Sequence, residues 1–118
     1  MSDSSVTFKT LGDVLVAKVQ DQKITRETGK RLYARTAAGD GLDSSLKVVL
    51  DLSNLTFLGS IGLTVLVVLL KRVTTAGGQL AIVGLTGQSR GVMTVTRLEK
   101  VFKYYASVDQ ALDAVAGA

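Results

Sequence analysis

The sequence contains neither histidine nor cysteine, and each absence excludes a class of chemistry. Without histidine there can be no Ser-His-Asp triad, no histidine general base and no histidine-ligated zinc. Without cysteine there are no disulfides and no thiolate metal sites, which fits a reducing compartment. The ten carboxylates form no tight cluster suited to a metal, although two of them could still pair in space for catalysis. We therefore expect a protein that is not an enzyme and needs no cofactor or metal.

Other features are absent or scarce as well. Proline is missing, so turns must be made with the 12 glycines and with Asn, Asp and Ser. The net charge is +4, but no basic run exceeds two residues and six Tyr and Phe are few for base stacking, which argues against nucleic acid. Residues 1–5 are polar, unlike a signal peptide. The unbroken apolar stretch 65–70 is far shorter than the ~20 residues of a spanning helix. These features predict one cytoplasmic domain over residues 1–118, without membrane insertion.

The pattern of apolar residues predicts an α/β fold. Strands are expected at 6–10, 14–19, 46–52, 79–85 and 101–105, the first two forming an antiparallel pair around a tight turn at Gly12-Asp13. Helices are expected at 25–38, 61–74 and 88–98, and after Ser107, which forms a capping box with Gln110. Gly39-Asp40-Gly41 should end the first helix, and Gly29 inside it is unfavourable. The strand–helix–strand order over 46–85 predicts a parallel βαβ unit.

The stretch from Leu50 to Leu63 says most about function. Ser60 stands where an irregular segment passes into a helix, so we expect it at the N-cap, and capping alone would account for it. A hydrolase nucleophile elbow would need a glycine where Leu58 stands, and a histidine. The glycine spacing of dinucleotide and P-loop phosphate sites is absent, and Gly59 to Gly62 lacks the basic flanks of a KH-type loop.

The same stretch resembles the signature of STAS domains, above all the bacterial anti-sigma factor antagonists. Their pattern is an apolar strand, Asp-Leu, a few polar residues, and then Asp-Ser-Ser/Thr-Gly-Leu opening a helix. The order of elements, Ala76-Gly77-Gly78, Thr96-Arg97-Leu98 and the capped last helix extend the resemblance over nearly the whole chain. It implies a mixed sheet of about five strands flanked by about four helices, mainly on one side.

The resemblance also implies a function. Ser60 matches the serine that a partner kinase phosphorylates in this family, and Gly62-Leu63 matches the Gly-Leu of the motif. Gly59 stands in place of the family's Asp, and Ile61 in place of its Ser or Thr. The implied partner is a serine kinase of the histidine-kinase-like ATPase type that doubles as an anti-sigma factor and is released by phosphorylation. The phosphate would bring about −1.5 to −2 charges to an apolar interface.

Two alternatives stay open beside this switch. Gly59 and Ile61 favour a STAS scaffold that is not phosphorylated, in a signalling assembly or a lipid-transport complex. A ligand sensor would need an apolar cavity that a sequence cannot show. In each case we expect a monomer or a weak homodimer.

The helix at 61–74 offers a second indication of a binding surface. At about 100° per residue, one face collects the positions that we assign to the core: Gly62, Leu63, Leu66, Leu69, Leu70 and Val73. The opposite face collects Ile61, Thr64, Val68, Lys71 and Arg72, with Val65 beside it. Its apolar members are either covered by another element of the domain or bind a protein partner. We predict the partner, on a surface made of Gly59, Ile61, Thr64, Val65, Val68 and Arg72.

Overall fold

Runs of β-branched and other apolar residues form five strands of one sheet in the part of the chain that the computed structural model describes, residues 6–36 and 47–116. The strands are β1 (Val6–Leu11), β2 (Val14–Val19), β3 (Lys47–Asp51), β4 (Gln79–Val83) and β5 (Lys103–Tyr105). They lie side by side in chain order; β1 and β2 are antiparallel and every later pair is parallel. The predicted turn at Gly12 is present, and its φ of 63° is one that glycine adopts without strain.

Four α-helices connect and follow these strands within the described residues: α1 (Arg26–Thr36), α2 (Ser60–Thr75), α3 (Gly87–Val95) and α4 (Val108–Ala116). The third helix is shorter than predicted, because Arg97 adopts a left-handed φ of 64° and a 3-10 turn, Leu98–Lys100, follows. The fifth strand accordingly starts later than predicted. The predicted end of α1 at Ala37 and Ala38, its stop at 39–41 and the predicted strand start at Leu46 lie outside the described residues.

The side chains of β3 alternate between two apolar layers, as the period of a strand requires. Val48 and Leu50 face a core that is closed by α1, α2 and α3, whereas Val49 faces a smaller core closed by α4. Three helices therefore cover one side of the sheet and one covers the other, which confirms the predicted α/β class with its helices mainly on one side. In the described ranges, no helix has the length and apolar character needed to cross a bilayer.

The helical phase assigned to α2 from the sequence is partly wrong, because α1 packs against it. Val65, expected on the partner-binding side, is only 4% exposed. It packs on Gly29 of α1, where an added Cβ atom would lie 2.8 Å from Val65 Cγ2. Covering by a neighbouring element of the same domain is therefore the correct interpretation for Val65. Leu63 and Leu70, which were assigned to the core, are half-buried and pack against it.

Candidate functional site

The segment that leads from β3 into α2 is fixed to the core by a repeated leucine. Leu52, Leu55 and Leu58 are all buried, so every third residue of this irregular segment anchors it. The Asp51 carboxylate accepts a hydrogen bond from the Ser53 N–H at 3.0 Å and turns the chain as it leaves the strand. The polar side chains between the leucines are exposed. The segment is therefore an ordered approach to α2 that keeps its polar side chains at the surface.

Two other parts of the chain hold this segment from its sides. The Gln22 carbonyl oxygen accepts the N–H groups of Thr56 and Phe57, at 2.9 and 3.2 Å. The Gln88 side chain, at the start of α3, bonds both backbone groups of Leu58: its Oε1 accepts the N–H at 2.8 Å and its Nε2 donates to the carbonyl at 3.3 Å. This role of Gln88 could not be predicted from the sequence, because nothing in the local pattern links it to a residue 30 positions away.

Helix α2 begins one residue earlier than predicted, and this changes the position of Ser60. Gly59 is the N-cap, with extended φ and ψ of −110° and −167°, and its carbonyl already accepts the Leu63 N–H at 2.9 Å. The prediction that Ser60 is the N-cap is therefore wrong: Ser60 is the first helical residue. Its side chain is exposed and its hydroxyl forms no hydrogen bond with any described residue. Within the described ranges no side chain caps α2, and its first turn carries no acidic residue that would compensate the positive end of the helix dipole.

Gly59 lies against an exposed aromatic ring. A Cβ atom at position 59 would lie 2.8 Å from Cε2 of Phe57, a residue that is 52% exposed. Any side chain here, including the Asp typical of anti-sigma factor antagonists, would have to displace that ring. Since the ring is at the surface, it has room to move.

The structure gathers only part of the predicted binding surface. Ile61, at 42% exposure, and Thr64 are accessible, Gly59 and Val68 are half-buried, and Val65 belongs to the core. Arg72 is exposed, and its guanidinium lies 5.1 Å from the centre of the Tyr33 ring, so it also connects α2 to α1. Partial burial raises the pKa of the Tyr33 phenol, and the Arg72 charge acts in the opposite direction.

Three residues of α1 complete the surroundings of Ser60. Arg26, Lys30 and Tyr33 line a cavity of about 350 Å³ together with Ser60, Ile61, Thr64 and Val65 of α2. These α1 residues are not part of the binding surface predicted from the sequence, although their i, i+4, i+7 spacing places them on one helix face. In the described ranges, acidic residues form no group of three or more that could hold a metal ion.

Comparison with known proteins gives consistent matches. A family model described as the STAS domain matches residues 7–111. A protein of Thermotoga neapolitana, named as a homologue of the candidate anti-sigma factor antagonist TM1081, is 34% identical over 71 residues, which are 60% of this chain. The match spans 63% of that relative's length, slightly less than two thirds.

Solved structures agree over a greater length. An anti-sigma factor antagonist from Mycobacterium paratuberculosis superposes with a TM-score of 0.77 and 28% identity, covering 98% of this chain and 99% of that one. A STAS domain protein from Planctomyces limnophilus superposes with a TM-score of 0.81 over 94% of this chain and 97% of its own. Its identity is 23%, so this second likeness concerns the fold alone.

Proposed function

This chain belongs to the STAS domain family, and on that premise we propose that it is a bacterial regulatory protein of the anti-sigma factor antagonist type. In this proposal its unphosphorylated form binds, in the cytoplasm, a serine kinase that doubles as an anti-sigma factor, and phosphorylation of Ser60 ends the binding. The protein itself catalyses no reaction. The observation that carries the proposal is the position of Ser60 in the first turn of α2, where its side chain is exposed and its hydroxyl forms no hydrogen bond with another described residue.

The surroundings of Ser60 suit a residue that a kinase must reach. A hydroxyl that caps its own helix would have to give up a hydrogen bond before it could accept a phosphoryl group, whereas the Ser60 hydroxyl makes no such bond to any residue that the structure describes. The Gln22 and Gln88 hydrogen bonds fix the residues that precede it. The acceptor is therefore presented on an ordered backbone without taking part in holding that backbone.

A phosphate at Ser60 would affect binding more than folding. The free N–H groups and the dipole of the first turn favour an anion, so the charge of about −1.5 to −2 suits the folded chain. A partner that covers the exposed side chain of Ile61 would have to desolvate that phosphate as well, which is costly even where cations lie beside it. Phosphorylation should thus weaken the complex and leave the fold intact.

The unphosphorylated scaffold is the second candidate function, and Gly59 favours it. An Asp before the acceptor could orient the serine hydroxyl or take its proton, and such catalysis contributes roughly 10²-fold or more. Here the position has no side chain, and the Phe57 ring occupies the adjacent space. A scaffold would bind its partner through the same exposed surface, but a charge at position 60 would not regulate it.

Binding of the cognate histidine-kinase-like ATPase, measured by isothermal titration calorimetry, separates the two functions. We expect Ser60→Asp to bind at least about tenfold more weakly than wild type, and Ser60→Ala to bind within about threefold of it. Ser107→Asp is the matched control, since it places the same charge at the start of α4, away from Ser60. If Ser60→Asp binds as tightly as Ser60→Ala, the switch is wrong and the scaffold takes its place.

A further inference from the structure

The helices α1 and α2 enclose a groove beside Ser60, which we call the α1–α2 groove. The two helices approach closely because Gly29 presents no side chain to Val65. One turn before that contact, Arg26 stands at the edge of α1, and Lys30 follows it on the same face. The groove is the cavity of about 350 Å³ described above, and Ser60 and Ile61 form its opposite edge. A second cavity of the same size continues around Ser60 and Arg26 toward Lys23.

The charged side chains that line these two cavities are all cationic. They are Lys23, Arg26 and Lys30, and no carboxylate of the described residues lines either cavity. None of the three forms an ion pair within the described ranges. Asp21 lines an adjoining cavity that shares Lys23 with the second one, and Glu27, which follows Arg26 on α1, is exposed and lines neither of the two. The groove therefore concentrates positive charge that forms no ion pair with the carboxylates of the described residues.

Apolar surface accompanies this charge. Ile61 is exposed and Tyr33 is half-buried, and both line the groove. A purely ionic ligand would leave this surface unused, whereas a protein segment with carboxylates beside one apolar side chain would match both features.

We propose that the α1–α2 groove binds an acidic segment of the partner protein, with an apolar residue at Ile61 and carboxylates at Arg26 and Lys30. The proposal rests on the proposed function, and it adds a mechanism of release. A phosphate on Ser60 lies at the same groove and offsets most of its positive charge. The phosphate then replaces the partner's carboxylates as the anion that Arg26 and Lys30 face, so it competes directly with the acidic segment.

The test is an NMR titration of the ¹⁵N-labelled chain with the acetylated and amidated peptide Asp-Glu-Leu-Glu-Asp. We expect saturable shifts confined to the amides of residues 26–33 and 60–65. The double substitution Arg26→Glu and Lys30→Glu should weaken peptide binding at least about tenfold, because it reverses both cationic contacts. Ser60→Asp should weaken it by a smaller factor, since it adds one negative charge to the same groove.

A matched control changes the same amount of charge away from the groove. Lys9→Glu with Lys103→Glu replaces two exposed lysines on β1 and β5, neither of which lines the groove. This variant should bind the peptide within about twofold of wild type, apart from the weak long-range effect of net charge. Equal losses of peptide affinity in the two double variants, or amide chemical-shift changes spread over the whole surface, would overturn the proposal. So would inorganic phosphate that shifts the same amides and saturates them while the peptide does not, since the groove would then be a small-anion site.

The same variants, tested for binding to the cognate kinase, separate this proposal from the proposed function. If the kinase binds wild type and the Arg26→Glu, Lys30→Glu variant equally, the groove proposal is wrong and the proposed function stands. If the kinase does not bind wild type although the peptide titration succeeds, the proposed function is wrong and the groove remains a docking site for acidic segments.

Discussion

Two helices of this domain start beside a serine, and the structure uses the two serines differently. At α4, the Ser107 Oγ accepts the Gln110 N–H at 3.2 Å, and the Gln110 Oε1 accepts the Ala106 N–H at 3.2 Å. Serine and glutamine three residues apart thus satisfy backbone groups at the start of their own helix, as a capping box does, with the glutamine reaching one residue beyond the cap. This helix start is stabilised by its own side chains.

The start of α2 is stabilised from outside the helix. The glutamine that corresponds to Gln110 here is Gln88, which belongs to α3 and forms hydrogen bonds with both backbone groups of Leu58. Its cap position is Gly59, and Ser60 follows with its hydroxyl unengaged among the described residues. Because the segment is held by another helix, Ser60 is not needed to hold it. The difference indicates that Ser107 has a structural role that Ser60 does not share among the described residues.

The largest difference in the free energy of unfolding between a buried and an exposed position should occur within one turn of α2, between Val65 and Ile61. Val65→Asp buries a carboxylate against α1 without a partner, so we expect a loss of about 3 kcal/mol or more in the free energy of unfolding. Ile61→Asp, one turn earlier, should change it by about 0.5 kcal/mol or less, because Ile61 faces solvent. Urea denaturation followed by circular dichroism measures both. Similar small losses would mean that Val65 faces solvent after all.

Substitution of Gln88 and of Gln110 should give an intermediate difference in the free energy of unfolding. Gln88→Ala removes two hydrogen bonds and leaves the backbone groups of Leu58 without partners, which should cost about 1–3 kcal/mol. Gln110→Ala removes one exposed hydrogen bond and improves helix propensity, so it should cost under about 1 kcal/mol. Hydrogen exchange of the Leu58 amide gives an independent readout and should become faster only in Gln88→Ala. Unchanged protection of the Leu58 amide would mean that Gln88 does not hold this segment in place.

Substitution of the two serines should give the smallest difference in the free energy of unfolding, with the larger loss at Ser107. Ser107→Ala removes a helix cap and should cost about 1 kcal/mol. Ser60→Ala removes a hydroxyl without a hydrogen-bond partner among the described residues, so it should change the free energy of unfolding by about 0.5 kcal/mol or less. Thermal and urea unfolding of the two variants, side by side, check this. A larger cost at position 60 than at 107 would contradict the assignment of their roles.

The parts of the fold that could be predicted depend on neighbours in the sequence. The turn at Gly12, the capping pair of Ser107 and Gln110 and the apolar strand β3 each carry their signal within a few residues. The family resemblance at Leu50 to Leu63 has the same local character. For that reason both the α/β architecture and the position of Ser60 near the start of a helix could be predicted from the sequence.

The remaining features depend on how separate elements meet. Val65 lies at the boundary between the two faces of α2, and only the approach of α1 decides that it is buried. Gly29 looks like a weakness of α1 in isolation, whereas in the fold it is the contact point for Val65. The Gln88 hydrogen bonds to Leu58 and the position of Arg26 beside Ser60 likewise join residues about 30 positions apart. No local pattern carries that information.

The most direct test of the central claim, that Ser60 is a phosphate acceptor and not a helix cap, is intact-mass spectrometry after incubation with the purified cognate kinase and ATP. Wild type and Ser107→Ala should each gain the mass of a single phosphate group, and Ser60→Ala should gain none. Circular dichroism should show that all three are folded, so that the absence of a mass gain reports on the acceptor. A wild-type protein that stays unmodified beside a control substrate that the same kinase does phosphorylate, or a Ser60→Ala variant that is still modified, would contradict the claim.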